Sequence, residues 1–381
     1  MGNTLTNLIP DAFAALDVVS RELVGFIPAV ARDPSADRVA INQTLRVPIS
    51  PSNGAVGTIT PAMAFPAASD QTIGGKTLTI TKQRFAPFSW TGEEQRSMDA
   101  GPGFLTLQQD QIAQALRALV NEMEVDLAVA AYQGASRAFG TAGTAPFATN
   151  LTDPANIKKI LDDNGAPKMD RSLVINTTAG AALRTLTQLT KANEAGDTNL
   201  LRQGALLPLH GLTVRESAQV QNVTKGTGAA YTTTAAGFAV GTTAIPIITG
   251  TGTVLAGDVV TFAGDTNKYV VAAGVAAPGT ITLAAPGLKQ AIPAAATAMT
   301  IGGNFAGNVG FSRNAVLLAT RLPEIPKEGD LATDRTTITD PVSDISFEFA
   351  VYPGFRMNVY HVSACWGVSV LKPEHIAILL G

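Results

Sequence analysis

The chain has 381 residues, of which 46% are hydrophobic, 15% charged and 6% aromatic, and its formal net charge is −3. That length suits two or three domains and that hydrophobicity a substantial core, which excludes a disordered chain, since disorder couples low hydrophobicity to high charge. Charged residues fall below the ~25% of an average domain, Lys and Arg form no run, and the single cysteine, Cys365, excludes an intrachain disulfide, so neither a basic nucleic-acid-binding tail nor a disulfide framework is expected.

No stretch reaches the ~18 consecutive apolar residues of a membrane-spanning helix, and Met1–Thr6 lacks the basic start and apolar run of a secretion signal. The same residues fit the loose Met-Gly-x-x-x-Ser/Thr acylation pattern, a match that chance explains in so Gly- and Thr-rich a chain. Residues 1–40 are predicted to form an arm. Pro10-Asp11 can start a short helix with Phe13, Leu16, Val19, Leu23 and Val24 near a 3.6-residue period, and Pro28, Asp33 and Pro34 break it. Such a helix cannot bury its stripe alone and must lie on another part of the protein or on a neighbour.

Residues 41–92 read as a long extended excursion. Leu45, Val47 and Ile49 alternate, as do Leu78 and Ile80, and Pro51 to Gly75 is rich in Gly, Pro, Ala, Ser and Thr. A two-stranded hairpin is marginal by itself, so this one implies support from elsewhere. Within 93–150 the spacing predicts one long helix over 104–133. Ile112, Leu116, Leu119, Met123, Leu127 and Ala130 form its stripe, and Gln114, Arg117, Asn121 and Glu124 occupy other faces. At 1.5 Å per residue it would span roughly 45 Å and act as a strut.

Residues 151–222 alternate helix and strand. Asp153-Pro154 opens a helix with Asp153 as its N-cap, Arg171–Asn176 is a short buried strand, Thr178 caps a second helix through Leu189, and Gly204–Val214 holds a turn and a strand. Residues 223–305 carry only Lys225, Asp258, Asp265, Lys268 and Lys289 as charges. Short β-like runs at Ala244–Ile248, Asp258–Phe262, Lys268–Ala272, Thr280–Leu283 and Ala298–Ile301, with Gly or Pro in every gap, predict a small barrel or sandwich inserted into an α/β domain. A surface so poor in charge is expected to touch neighbours. Residues 306–381 return to the α/β domain: a strand near Gly310–Arg321, another at Ile345–Phe349, a Tyr352-Pro353-Gly354 turn, a return strand, and a Trp366-Gly367-Val368 exit to an apolar Ile376–Leu380 end.

The ordered set resembles the Hong Kong 97 type capsid fold of tailed phages and herpesviruses, an α+β fold. The parts that correspond are an N-arm (1–40), an E-loop (41–92), a peripheral P domain with its spine helix (93–150), and an axial A domain (151–222 and, with P-domain strands, 306–381). Arg171–Leu186 and Leu206–Ser217 look like A-domain segments of that family. Leu255–Gly264, followed by Lys268–Val271 and Thr280–Leu283, looks like the inserted β domain (223–305) of the coat protein of the Salmonella short-tailed phage P twenty-two. The resemblance implies a major capsid protein without catalytic activity or cofactor. Its partners would be itself, as hexamers and pentamers of a shell, a separate scaffolding protein and a portal. It would enclose double-stranded DNA without sequence-specific binding, engage no membrane, and be assembled in a bacterial cytoplasm into the virion. An encapsulin-like cargo shell shares the fold, but the insertion and long hairpin favour a phage. An extracellular β-rich adhesin would call for a signal peptide or β-repeat, and neither is present.

Chemistry-bearing residues are scattered. His210, His361 and His375 lie far apart and match no metal-ligand spacing, and Cys365, although four residues from His361, has no third group and reads as a small buried hydrophobe. Assembly candidates are Ile73 and Lys76 on the extended hairpin, where Gly74-Gly75-Lys76 reads as a kink, and Leu116, Leu119 and Met123 on the helix. In the founding member of the family an E-loop lysine joins a neighbour's asparagine by an isopeptide bond, for which Lys76 and Asn358 would be the counterparts. Relatives with an insertion do not crosslink, so Lys76 is expected to be solvated or ion-paired.

Overall fold

The computed structural model describes residues 25–49, 61, 74–99, 104–190, 208–276, 278–340 and 343–381. The helical expectation for 1–24, most of Pro51–Gly75, and Ile73 lie outside the described residues. The chain is mixed α/β. Its first strands are β1 (Ala31–Val39), β2 (Thr44–Ile49), β3 (Gly74–Thr79) and β4 (Lys82–Thr91), followed by helices α1 (Gly92–Asp99) and α2 (Phe104–Gln133). Next come β5 (Arg137–Phe139), α3 (Thr152–Asp163), β6 (Arg171–Ile175), α4 (Thr177–Thr185), α5 (Thr187–Thr190), β7 (Thr213–Glu216) and β8 (Asn222–Val223). Six short strands follow: β9 (Tyr231–Thr233), β10 (Ala244–Ile248), β11 (Val259–Phe262), β12 (Lys268–Ala273), β13 (Gly279–Leu283) and β14 (Ala298–Ile301). The chain closes with β15 (Phe305–Ser312), β16 (Val316–Pro323), β17 (Asp334–Thr339), β18 (Ser346–Gly354), β19 (Met357–Val370) and β20 (Ile376–Leu380).

Two sheets share α2. In the first, β19 carries β4 along one edge and β18 then β16 along the other, with β17 outside β18 and β1 parallel to β16. Its inner face presents Phe349, Val351, Tyr360, Val362, Ala364 and Trp366 to the stripe Ile112, Leu116, Leu119, Met123 and Leu127. The stripe is buried from Ile112 to Leu127 and only half-buried at Ala130, so the 3.6-residue pattern reports a packed seam, each large apolar side chain contributing about 1.5–3 kcal/mol.

In the second sheet β15 is central, antiparallel to β20 and β6, with β7 parallel outside β6 and β5 parallel outside β20. All residues of β6, β15 and β20 are buried. Both faces are covered, which is why Leu173-Val174-Ile175 and Ile376–Leu380 are apolar without alternation. Leu173, Ile175, Ala377 and Leu379 pack under α3 and α4, while Val174, Val309, Phe311, Ile376 and Ile378 join the core shared with α2.

The strands β9–β14 run in the order β11-β14-β9-β10-β13-β12, and β11 also pairs with β12, which closes them into a barrel. Inward residues alternate along each strand and make a separate core of Tyr231, Ile245, Ile247, Val260, Phe262, Tyr269, Val271, Ile281, Leu283 and Met299. Two features differ from the sequence reading. Val223 and Phe305 pair in the core sheet through β8 and β15, and the barrel is hydrogen-bonded to that sheet, with β12 pairing β5 and Lys268 Nζ donating to the Gly140 carbonyl. Residues 224–304 expressed alone are expected to give a β-type circular dichroism spectrum and a cooperative melt, less stable than in the full chain because β12 loses β5. A random-coil spectrum would mean that these strands order only on the core sheet.

Local corrections have simple causes. Helix α3 starts at Thr152, and Asp153 instead accepts the Phe147 N–H at 2.7 Å, closing the preceding loop. Asn176, not Thr178, caps α4 through the Ala179 N–H at 2.8 Å. Tyr352-Pro353-Gly354 continues β18, because the turn is the following pair, Phe355-Arg356, with Arg356 at φ 56°. Residues 25–39 are built into the body: Phe26, Ile27, Ala29 and Val30 are buried, and Arg321 grips Asp33 at 2.7 Å across β1 and β16.

Candidate assembly surface

The β2–β3 ribbon is a separate two-stranded sheet, Thr44 opposite Thr79 and Ile49 opposite Gly74. Its alternation gives it one apolar face. Leu45, Val47, Leu78 and Ile80 lie on Val39, Leu317, Ala319 and Cys365 of the first sheet, while Thr44, Arg46, Pro48, Gly75 and Thr77 stay exposed. The base is pinned by backbone bonds, Asn42 N–H to Ile80 O at 2.9 Å and Thr81 N–H to Trp366 O at 3.2 Å. Gly367 lies directly beneath: a Cβ there would stand 2.2 Å from Thr79 O.

Lys76 occupies a regular ladder position opposite Val47, not a kink, and its Nζ donates to Val370 O at 3.0 Å. Asn358 sits at the other end of β19, roughly 40 Å from Val370 at ~3.4 Å per residue, so within one chain the two cannot meet. Purified Lys76→Ala protein is expected to run as single chains in hot detergent, as unmodified protein does. A ladder of covalent multimers lost only in the variant would establish crosslinking instead.

Beyond the ribbon, the outer face of the first sheet bears an aromatic patch. His361 stacks on Phe85 at 4.8 Å and lies 4.9 Å from the Tyr352 ring; Phe85 is 59% exposed. Burial holds His361 below the ordinary imidazole range. A charged network borders the patch. Buried Glu348 receives Arg38 and, at 3.3 Å, Arg335, whose other arm holds Asp330, and the Tyr352 hydroxyl donates to Asp330 at 2.9 Å. Although burial opposes it, the Ala332 N–H, Tyr352 and Arg335 hold the Asp330 carboxyl below its usual range. Farther out, Leu331 and Phe355 are 84% and 92% exposed.

The three helix candidates lie inside the subunit. Leu116, Leu119 and Met123 are buried in the α2 seam and offer no surface to another molecule. Burial, with the Glu348 charge adding to it, pushes the Cys365 thiol up to about 11. His210 is exposed in a left-handed turn and His375 is buried, its imidazole lowered chiefly by that burial. Among the described residues no group of His, Cys, Asp and Glu could hold a metal, and no helix is long and apolar enough to cross a membrane.

Sequence reasoning missed Glu124, read as part of a polar face. The structure buries it to 1% exposure, where it accepts the N–H groups of Phe26 at 3.0 Å and Ile27 at 2.7 Å and the Ser217 hydroxyl at 3.1 Å. One signal was available. Val120, Leu127, Ala128 and Ala131 surround it at helical spacing, a second apolar stripe beside the first.

No protein-family model matches the chain, and no curated protein matches it in sequence. Among solved structures the chain is similar to one from Mycobacterium phage Che8, with 14% identity over 89% of this chain and 84% of that one and a TM-score of 0.45. It is similar to the capsid structure of the cyanophage P-SCSP1u, with 10% identity over 92% and 86% and a TM-score of 0.49. It is also similar to a virus-like particle from Pyrococcus furiosus, with 9% identity over 97% of each chain and a TM-score of 0.42.

Proposed function

We propose that this chain is a major capsid protein, many copies of which self-assemble into an icosahedral shell around double-stranded DNA, as in tailed phages. The observation that carries the reading is the β2–β3 ribbon. It is fastened to its own subunit along one face near its base, its other face is exposed, and residues 50–73 join its strands at the far end. Its apolar face is met by its own subunit, and its exposed face, with Thr44, Arg46, Pro48 and Thr77, is open to a neighbouring copy. The aromatic patch around Phe85, with exposed Leu331 and Phe355, supplies apolar area on that copy.

On this reading the first sheet and α2 form the P domain, the second sheet the A domain that meets its copies in hexamers and pentamers, and the barrel the inserted domain, laid out as in phage P twenty-two. The barrel lies on the outer surface and braces subunits across a local two-fold axis. Interfaces of this obligate kind bury upwards of ~2,000 Å². A net charge of −3 suits a shell that confines DNA without neutralising it. A separate scaffolding protein and a portal complete the assembly in the bacterial cytoplasm, and no cofactor is needed. Electron microscopy and analytical ultracentrifugation of the purified protein, alone and co-expressed with its scaffold, are expected to show closed shells or capsomers. A compact monomer under both conditions would overturn the reading.

A further inference from the structure

A lone exposed leucine is ordinary, but Leu331 is held in water by an ordered loop. Gly329 N–H closes a turn on Pro326 O at 2.9 Å, with Gly329 at φ 84°. Asp330 then accepts the Ala332 N–H at 3.1 Å on one oxygen, and the Tyr352 hydroxyl at 2.9 Å and the Arg335 guanidinium on the other. Thr333 N–H donates to Val351 O at 2.8 Å, which fixes the loop beside the end of β18. Leu331 stands between these anchors, 84% exposed. Glu324, Lys327 and Glu328 of the same loop are exposed and form no ion pair among the described residues.

On the opposite flank of the same end of the first sheet, the start of α1 and the Phe355-Arg356 turn enclose a cavity of about 730 Å³. Buried Trp90 and half-buried Met357 line it, as do exposed Glu93, Arg96, Phe355 and Arg356. Gly92 N–H donates to Arg356 O at 3.3 Å and joins the two walls. Arg96 and Arg356 form no ion pair among the described residues.

We infer that the Leu331 loop of one copy seats in this cavity on a second copy, with Leu331 against Trp90 and Met357 and Glu328 facing Arg96 and Arg356. The inference rests on the shell reading above. The charges are complementary. The cavity sets two arginines against one glutamate, and residues 324–328 set two glutamates against one lysine, Asp330 being taken up by Arg335. The two halves do not meet within a chain, because β17, β18, β19 and β4 lie side by side between them. At ~4.8 Å per strand spacing that is roughly 14 Å. Each copy carries both halves on opposite flanks of one sheet end, so the contact is head-to-tail and repeats around an axis instead of pairing two identical faces.

Cysteine pairing in assembled protein tests this, since the native Cys365 is buried and does not compete. Gly92 lines the cavity, and a Cβ there meets nothing within 4 Å. Oxidised shells or capsomers carrying both Leu331→Cys and Gly92→Cys are expected to run, in detergent without reductant, as covalent multimers larger than a dimer. Either substitution alone is expected to give single chains, and within one chain the two positions lie beyond disulfide reach. Linked dimers from Leu331→Cys alone would show a loop-to-loop contact. Assembled double variant that stays as single chains would leave the cavity to another ligand. Each of these results overturns the proposal and leaves the shell reading in place, whereas unmodified protein that does not assemble overturns both. Charge exchange is the second arm. Glu328→Arg, and Arg96→Glu with Arg356→Glu, are each expected to raise the protein concentration needed for assembly by about tenfold, and the three together to restore it. A combined variant no better than its parts overturns the proposal equally.

Discussion

Leu119→Asp is expected to leave the protein insoluble and to yield no shells. Leu119 is 3% exposed at the middle of the α2 stripe, in one core with residues of both sheets. A carboxylate placed there meets aliphatic and aromatic neighbours, and burying it unpaired costs several kcal/mol. A whole domain has only ~5–15 kcal/mol to lose. Glu124, on the same helix, shows what a buried carboxylate requires: converging donors, among them the Phe26 and Ile27 N–H groups and the Ser217 hydroxyl. Leu119→Ala, which removes volume without adding charge, is expected to cost about 2–5 kcal/mol and to give reduced yields of normal shells. Soluble yield and shell counts check both. A wild-type harvest from Leu119→Asp would mean that this face is no buried seam.

Gly367→Val is expected to separate folding from assembly. Gly367 pairs with Ala319 in the first sheet, and any Cβ there would stand 2.2 Å from Thr79 O and 3.0 Å from the Leu78 side chain. Backbone cannot yield as a flexible side chain does, so the base of the ribbon must lift. The α2 seam lies on the opposite face of β19, through Tyr360, Val362, Ala364 and Trp366, and is left intact. The variant should remain soluble with a near-native circular dichroism spectrum, lose protection from proteases within Thr44–Ile49 and Gly74–Thr79, and fail to close shells. Normal shells from this variant would mean that the ribbon's seat on its own subunit is dispensable for assembly. Global unfolding would mean that the ribbon is part of the subunit's core.

The α2 helix was legible at its own residues because its signal is local. Side chains at positions i, i+3, i+4 and i+7 share one face whatever surrounds them, so the spacing from Ile112 to Leu127 announced both the helix and its buried side. The same holds for the barrel runs at Ala244–Ile248 and Ala298–Ile301, where alternation alone names the inward residues Ile245, Ile247, Met299 and Ile301. The strand Tyr231–Thr233 escaped notice because three residues in a Thr-, Ala- and Gly-rich stretch carry no period.

What the tertiary structure alone decided depends on partners remote in sequence. Arg137 and Tyr269 are paired only because β5 and β12 meet in space, and that pairing fastens the barrel to the body. β1, expected in an arm, joined a sheet because β16 offered it a parallel edge. Glu124 is the sharpest case. At its own position it is one polar residue among several on a helix, and its burial is bearable only because donors 98 and 93 residues away in sequence, Phe26 and Ser217, converge on its oxygens. Periodicity records which face a side chain occupies. Whether a polar group on that face can leave water is a matter of hydrogen-bond partners, and those are assembled by the fold.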